Sequence, residues 1–357
     1  MSSAQSKLIS FVLCLAILVF AVYILVVGKA ILIPIVISIS IAYSIASLES
    51  SFLDFSVGGR HVPKWLAFLA AILSVVFVLM LLVNLVVDNI ALVVERAPDY
   101  QASLLTIIEQ VSIAIGAEQT QSIVNLFAEL DLASVITAVI SPLSVIAGDM
   151  LSILFYVAFM LVERNTLMPK LKLLVTDLER EAKIEASLTR IEHSIRKYLW
   201  IKTLISVLTA GFSYVVMRVL EIDFAAFWAV LIFVLNFIPY VGSILAVIFP
   251  VMLTLVQFQD LSHFILTLFL LAGVQVLVGN ILEPRIMGKS LNLSPLVILL
   301  TLAIWWSIWG VVGMMICVPM MVIAMIVLAQ FQPTRPFAIL MSQEGLIDDL
   351  VAPEQTA

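Results

Sequence analysis

Two uncharged segments of this chain are longer than a single membrane crossing. Phe224–Gln259 and Ser290–Thr334 contain 36 and 45 residues without Asp, Glu, Lys or Arg. A helix needs about 20 apolar residues to cross the hydrocarbon core of a bilayer. The whole chain is 63% hydrophobic and 12% charged, whereas soluble domains are about 45–50% apolar and about 25% charged. With only two cysteines, the sequence excludes soluble, disordered and disulfide-rich classes and predicts an all-α polytopic integral membrane protein.

Shorter apolar segments, nearly free of charge, supply the remaining membrane crossings. They lie at 8–28, 30–48, 65–87, 146–163, 198–217 and 261–282. We expect the first to be a retained span, because its apolar stretch is longer than a signal-peptide core of about 7–15 residues.

The distribution of basic residues predicts the orientation in the membrane. The segment 163–202 holds nine of the 18 Lys and Arg residues, whereas 88–131 holds Arg96 alone against seven carboxylates. Lys and Arg are retained on the cytoplasmic side in short loops. The first segment is therefore predicted inside and the second outside, which places both termini in the cytoplasm.

The same pattern divides the chain into three predicted regions. Residues 1–163 would be scaffold spans, with outer amphipathic helices at about 88–145, where apolar residues recur at helical spacing. Residues 164–331 would form a cytoplasmic connector helix and a transport domain. Residues 332–357 would be a polar C-terminal tail that ends in disorder.

Both long uncharged segments contain residues that interrupt a helix. In the first, Pro239 removes a backbone donor and Gly242 permits unusual backbone angles. In the second, Gly310 and Gly313 are followed by Pro319. The spans before the two segments run in opposite directions, which predicts an inverted repeat with two broken, re-entrant helical hairpins near the substrate. The alternative is a pair of kinked helices without a transport role.

Several polar residues interrupt the second half of the chain near the membrane boundary. Pro284 is predicted to end the helix at Glu283, with Asn280 one turn earlier on the same face. Glu283 and Arg285 could form a gate or coupling site, or a local ion pair that anchors the end of a span.

Two further polar residues fall inside predicted spans. Asn236 could offer its amide to a substrate, or cap the backbone that Pro239 releases. Lys202 lies one turn into its span, so its ammonium is expected to snorkel to the inner interface.

Motifs for enzymatic chemistry are missing from the sequence. The Gly-Lys-Ser at 288–290 lacks the first glycine of a phosphate-binding loop, because Glu283 stands there. There is no H-E-x-x-H or G-x-S-x-G motif, and the three histidines are scattered. We therefore predict no enzyme, cofactor or metal. The connector alternates acidic with basic residues, which argues against binding nucleic acid.

Four sequence blocks resemble the autoinducer-2 exporter family, also called the PerM-type permeases. They are Tyr198-Leu-x-x-Lys202-Thr203, Asn236-Phe-Ile-Pro239-x-Val-Gly242-Ser243, Gly279-Asn-Ile-Leu-Glu283-Pro284-Arg285-Ile-Met-Gly288 and Gly310-x-x-Gly313…Val318-Pro319. The Glu-Pro-Arg block is the most specific. The resemblance covers nearly the whole chain and is stronger in its C-terminal half.

This resemblance implies a secondary transporter of the bacterial inner membrane, assembled as a homopentamer. It implies export of a small polar metabolite, the quorum-sensing signal autoinducer-2, by an elevator-like alternating-access movement. Some relatives are reported as sodium–proton antiporters, which is the first alternative, although no acid pair deep in the membrane is evident. An intramembrane enzyme and a non-transporting assembly protein are further alternatives.

Overall fold

A computed structural model describes residues 3–53, 56–57, 60–115, 148–174, 178–287, 292–345 and 347. These residues are almost entirely helical, which confirms the predicted all-α class. The helices are α1 (Ser3–Val27), α2 (Lys29–Leu53), α3 (Lys64–Ile115), α4 (Met150–Leu174), α5 (Leu178–Val219), α6 (Ala225–Leu235), α7 (Val241–Phe258), α8 (Leu261–Gln275), α9 (Glu283–Met287), α10 (Pro295–Ala329) and α11 (Arg335–Met341). A π-helical segment, Val276–Leu282, joins α8 to α9. The strands Ser56–Val57 and Arg60–His61 form one short antiparallel pair.

Six helical stretches among these residues are long and apolar enough to cross a membrane. They are Lys29–Leu53, Lys64–Leu81, Glu181–Val219, Val241–Phe258, Leu261–Met287 and Pro295–Ala329. Large apolar side chains remain exposed along them, as expected where lipid rather than protein covers the helix. The predicted membrane class is therefore supported by length and composition in the folded chain.

Two predicted boundaries between spans and flanking helices do not exist in the structure. The predicted span at 65–87 continues without a break to Ile115 in α3, so the span and the first part of the outer segment are one helix. The charged connector likewise continues into a span within α5. The distribution of charged residues predicts where the membrane ends and water begins. It does not predict where a helix ends, so a helix can continue across that boundary. The rest of the predicted outer region, 116–147, lies outside the described residues.

The chain forms two compact units, each built from separated segments. The first comprises Met1–Ala42, Asp149–Glu192 and Asn292–Ala357, and the second comprises Tyr43–Gly148 and His193–Leu291. The prediction of scaffold and transport regions by chain order remains a prediction.

In the first unit, α10 bends sharply at a single glycine. Gly310 has φ 60° and ψ −138°, a conformation that only glycine adopts readily. A Cβ on Gly313 would lie 2.8 Å from the carbonyl carbon of Trp305 and closer still to its oxygen. In a straight helix these residues would be about 12 Å apart along the axis. The chain therefore turns back on itself between them, and the two arms of α10 form a helical hairpin.

The first unit is further held by contacts to this hairpin and to α11. The indole N–H of Trp309 donates to the carbonyl of Leu25, near the C-terminal end of α1, at 2.8 Å. Helix α11 packs against α10, and the backbone N–H of Ser294 donates to the carbonyl of Met341 at 2.9 Å. Residues 335–341, which were predicted to belong to a polar tail, thus form a helix that packs within this unit.

In the second unit, α6 and α7 form a hairpin around a strained turn. Tyr240 has φ 62° and ψ −57°, and the N–H of Val241 donates to the carbonyl of Pro239, which defines a γ-turn. A Cβ on Gly242 would lie 2.7 Å from the carbonyl carbon of Leu235 and closer still to its oxygen. The backbones of the two arms approach so closely that no side chain fits between them. Helix α3 and helix α8 pack against this hairpin.

Candidate functional site

A row of polar side chains is buried along one face of α5. Lys202, Ser206, Thr209 and Ser213 are all 5% exposed or less, although they lie in a membrane-spanning segment. Their spacing of four, three and four residues places them on one helical face. The row extends for about 16 Å along the helix. Buried polar groups are costly in an apolar environment, so this row needs partners on neighbouring elements.

The first partner is the carboxylate of Glu283. Nζ of Lys202 lies 2.6 Å from Oε1 of Glu283, and the two side chains are 7% and 19% exposed. Ile201 and Ile205 of α5 pack against Val278 in a buried apolar cluster, with Ile201 adjacent to Lys202 in the chain. The low local dielectric strengthens the attraction between the two charges, and it raises the cost of leaving either charge alone.

This pair corrects two expectations from the sequence. Glu283 was expected to pair with Arg285, but Arg285 is exposed and makes no ion pair with any described residue. Lys202 was expected to snorkel to the interface, but its side chain is enclosed. Residues 283 and 285 sit two positions apart on a helix, where side chains point in different directions. Lys202, which is 81 residues away in the chain, lies on the helix that packs against this segment.

The π-helical segment is the reason that Glu283 reaches Lys202. The sequence predicts that Pro284 ends the helix at Glu283, but helical structure continues through α9 to Met287. The N–H of Glu283 donates to the carbonyl of Val278, five residues earlier, and Pro284 then occupies the first turn of α9, where its missing donor is tolerated. This wider turn rotates the residues that follow it relative to a regular helix. Asn280 lies within the segment and is exposed.

The second partner of the polar row is Asn236 at the end of α6. Its side-chain amide donates to the hydroxyl of Ser206 at 3.0 Å, and Asn236 is 5% exposed. Thr209 donates to the carbonyl of Ile205 within its own helix. The Asn236 side chain thus joins α5 to the turn of the α6–α7 hairpin. The sequence left two roles open for Asn236, and one was to cap the backbone that Pro239 releases. The Asn236 amide bonds to Ser206 instead.

The remaining predicted site residues belong to the hairpin turns. Pro239 and Gly242 form the turn in the second unit, next to Asn236. Gly310 and Gly313 form the turn in the first unit, and Pro319 lies in the arm that follows. Ser206, Thr209 and Ser213 were not predicted from the sequence as site residues. Their spacing from Lys202 within a span was the available signal.

A separate polar cluster, which the sequence did not predict, surrounds Asp223 between α5 and α6. Asp223 accepts from the guanidinium of Arg96 at 2.9 Å and from the hydroxyl of Tyr100 at 3.0 Å, both on α3. The Arg96 guanidinium also lies 5.4 Å from the ring centre of Phe224. The side chain of Gln257 accepts from the Asp223 N–H and donates to the carbonyl of Glu221. These contacts hold the α5–α6 turn against α3 and α7.

Tyr100→Phe is expected to destabilise the second unit by about 1 kcal/mol, because it removes a half-buried hydrogen bond to a carboxylate. Burial and the bond to Asp223 raise the pKa of Tyr100 to about 12. A raised pKa favours the neutral phenol in the fold, so its stabilising effect is full below about pH 10 and is lost between about pH 10 and the folded pKa. The difference in Tm between wild type and Tyr100→Phe should therefore shrink across that range, as measured by thermal unfolding in detergent.

Tyr214→Phe, whose hydroxyl makes no bond to a described residue, is the control. A difference in Tm that stays constant up to pH 12 would contradict the assignment.

Within the described part of the chain, no three His, Cys, Asp or Glu residues are close enough to hold a metal ion. The arrangement instead offers a neutral ion pair, hydroxyl groups and one amide inside a membrane-spanning unit. These groups bind by hydrogen bonds and charge, and none is arranged as a nucleophile with a base.

Residues 13–332 match the model of a family described as AI-2E family transporter. The AI-2 transport protein TqsA of Escherichia coli is 31% identical over 319 residues, which cover 86% of this chain and 89% of that protein. A Haemophilus influenzae protein named for transport, without a stated substrate, is 29% identical over 90% of this chain and 94% of its own length. A similarly named protein of Borreliella burgdorferi is 38% identical over 46% of each chain.

Proposed function

Since this chain belongs to the AI-2E family of transporters, we propose that it exports a small polar metabolite, autoinducer-2, across the bacterial inner membrane. The family match confirms the resemblance seen in the sequence blocks and makes the protein a transporter. The choice of autoinducer-2 rests on the name of the Escherichia coli relative, which aligns along most of both chains.

The observation that supports this proposal best is the buried polar row on α5 and its partner Asn236. The Ser206–Asn236 hydrogen bond lies between a membrane-spanning helix and the turn of a helical hairpin. A solute with several hydroxyl groups can replace that bond by accepting from the Asn236 amide N–H and donating to the Ser206 hydroxyl oxygen. The polar groups therefore remain satisfied while the solute is bound, which a purely apolar pathway does not allow.

The Lys202–Glu283 ion pair lies in the second unit, and its two opposite charges cancel while that unit moves. Lys202 and Glu283 each carry a charge, but together they add none to the segment that contains them. Moving a neutral ion pair through the apolar interior of the membrane costs far less free energy than moving a single charge. This supports an elevator-like, alternating-access movement of the second unit, with the α6–α7 and α10 hairpins re-entrant and related as an inverted repeat. A homopentameric assembly and cytoplasmic termini complete the proposal.

Flux in proteoliposomes tests the proposal, with autoinducer-2 and sodium compared side by side. Asn236→Leu and Ser206→Ala are expected to lower autoinducer-2 flux per folded molecule by about tenfold, equivalent to about 1.4 kcal/mol of barrier. Thr254→Val is the matched control, because Thr254 is fully buried on α7 but donates only within its own helix. Sodium-dependent proton flux without autoinducer-2 transport would contradict the proposal and favour the antiporter alternative.

A further inference from the structure

A cavity of about 520 Å³ opens between the end of α5 and the beginning of α6. It is separate from the buried polar row, and its wall is mainly polar. Its lining includes Tyr214, Arg218, Glu221, Asp223, Phe224 and Ala226. It is open to the surface, since Tyr214, Arg218 and Glu221 are exposed, and its volume lies within the range of about 300–1,000 Å³ of small-molecule sites.

The turn that forms the cavity is held in an uncommon conformation. Glu221 and Phe224 both have φ 56°, in the left-handed region that non-glycine residues rarely adopt. Each such residue costs about 1–3 kcal/mol and persists only where surrounding contacts enforce it. Here the enforcing contacts are those of Gln257 with the backbone of Glu221 and Asp223, and those of Arg96 with Asp223 and Phe224. These contacts therefore fix the shape of the cavity before any ligand binds.

Three polar side chains of the wall remain available to a ligand. Within the described residues, the side chains of Tyr214, Arg218 and Glu221 make no hydrogen bond or ion pair, whereas Asp223 is held by Arg96 and Tyr100. Helix α5 orients Tyr214 and Arg218 one turn apart, and the turn presents Glu221 beside them. A guanidinium, a carboxylate and a phenol thus converge on one small volume without satisfying one another.

The charges around this volume balance. Arg218 and Arg96 supply two positive charges, and Glu221 and Asp223 supply two negative charges. A charged ligand would therefore gain no net attraction, but a neutral ligand with adjacent hydroxyl groups fits the set. Two hydroxyl groups can donate to the two carboxylate oxygens of Glu221 and accept from the forked N–H groups of Arg218.

From this chemistry, we infer that the cavity is a solute-binding site for a small, neutral, polyhydroxylated molecule at the outer mouth of the transport unit. The choice of autoinducer-2 as the probe, and of the outer side, rests on the proposed function. The site is distinct from the Ser206–Asn236 region, so binding there can be measured without transport.

Protection of an introduced cysteine tests this inference. Ala226→Cys is made in a full-length protein with Cys14 and Cys317 replaced by alanine, and its rate of reaction with a bulky thiol reagent is measured in nanodiscs. Autoinducer-2 at twice its dissociation constant should slow the reaction by about threefold, as expected from simple occupancy. Leu261→Cys, which is exposed beyond the end of α7 and outside the cavity wall, is the control and should react at an unchanged rate.

Glu221→Gln or Arg218→Gln in the Ala226→Cys protein should remove the protection, whereas Glu95→Gln, an exposed carboxylate on α3, should preserve it. Wild-type flux without protection of Ala226→Cys would overturn the binding site and leave the proposed function standing. Protection without flux would support the site and overturn the proposed function. The absence of both would overturn both.

Discussion

Replacing Lys202 by methionine is expected to abolish most transport and to lower the free energy of unfolding by about 3–5 kcal/mol, because it leaves the largely buried carboxylate of Glu283 without its partner. Glu283→Gln should do the same to a smaller extent, since it leaves Lys202 charged beside a neutral amide. Abundance of assembled protein in detergent and flux per folded molecule must be measured separately, because loss of the pair affects both.

The double variant Lys202→Met with Glu283→Met separates stability from transport. Replacing a buried ion pair by apolar residues of similar size is often neutral for stability, so the double variant should be about as stable as wild type. It should still transport poorly if the pair takes part in the cycle. Arg285→Gln is the control, since Arg285 is exposed, and its effect on stability should stay within about 0.5 kcal/mol. Normal flux per folded molecule in the double variant would show that the pair is structural only.

Gly242→Ala and Gly313→Ala are each expected to destabilise their unit by about 3 kcal/mol or more, because the added methyl group overlaps a backbone carbonyl that cannot move independently. The carbonyls belong to Leu235 and Trp305, in the opposite arm of each hairpin. The expected result is loss of assembled protein in detergent, measured by size-exclusion chromatography and thermal unfolding.

Two glycines elsewhere provide matched controls for these variants. A Cβ on Gly211 in α5 or on Gly273 in α8 would meet nothing within 4 Å. Gly211→Ala and Gly273→Ala should therefore leave stability unchanged or raise it by up to about 1 kcal/mol, through helix propensity. If Gly242→Ala behaved like Gly211→Ala, the arms of the α6–α7 hairpin would not be packed backbone to backbone.

The helix-interrupting residues were readable from the sequence because their effects are local. Pro239 and Gly242 act on the backbone within a few positions of themselves, and the α6–α7 turn lies there. Gly310 and Gly313 likewise mark the turn of α10. The limit of this reasoning appears at Pro284, where a π-helical segment accommodates the residue and the helical path continues. A proline restricts the backbone, but the register around it depends on what the neighbouring helix allows.

Partners across helices could not be read in the same way. Lys202 and Glu283 are 81 positions apart, and Ser206 and Asn236 are 30 apart. Arg96 and Asp223 are 127 apart. A side chain on a membrane helix can face lipid, water or another helix, and the sequence gives only the polarity of the side chain. Which residue it meets is set by helix rotation and packing.

The sequence by itself determined that this chain is a helical membrane protein, that two of its long apolar segments are broken, and which family it resembles. These properties follow from hydrophobicity and from local backbone restriction, which act residue by residue. Only the tertiary structure decided that Lys202 is enclosed, that Glu283 pairs with it rather than with Arg285, and that the α5–α6 turn lines an open polar cavity. The reason is that a charge in the membrane must be neutralised by whichever opposite charge packing brings within reach, and packing depends on the whole unit at once.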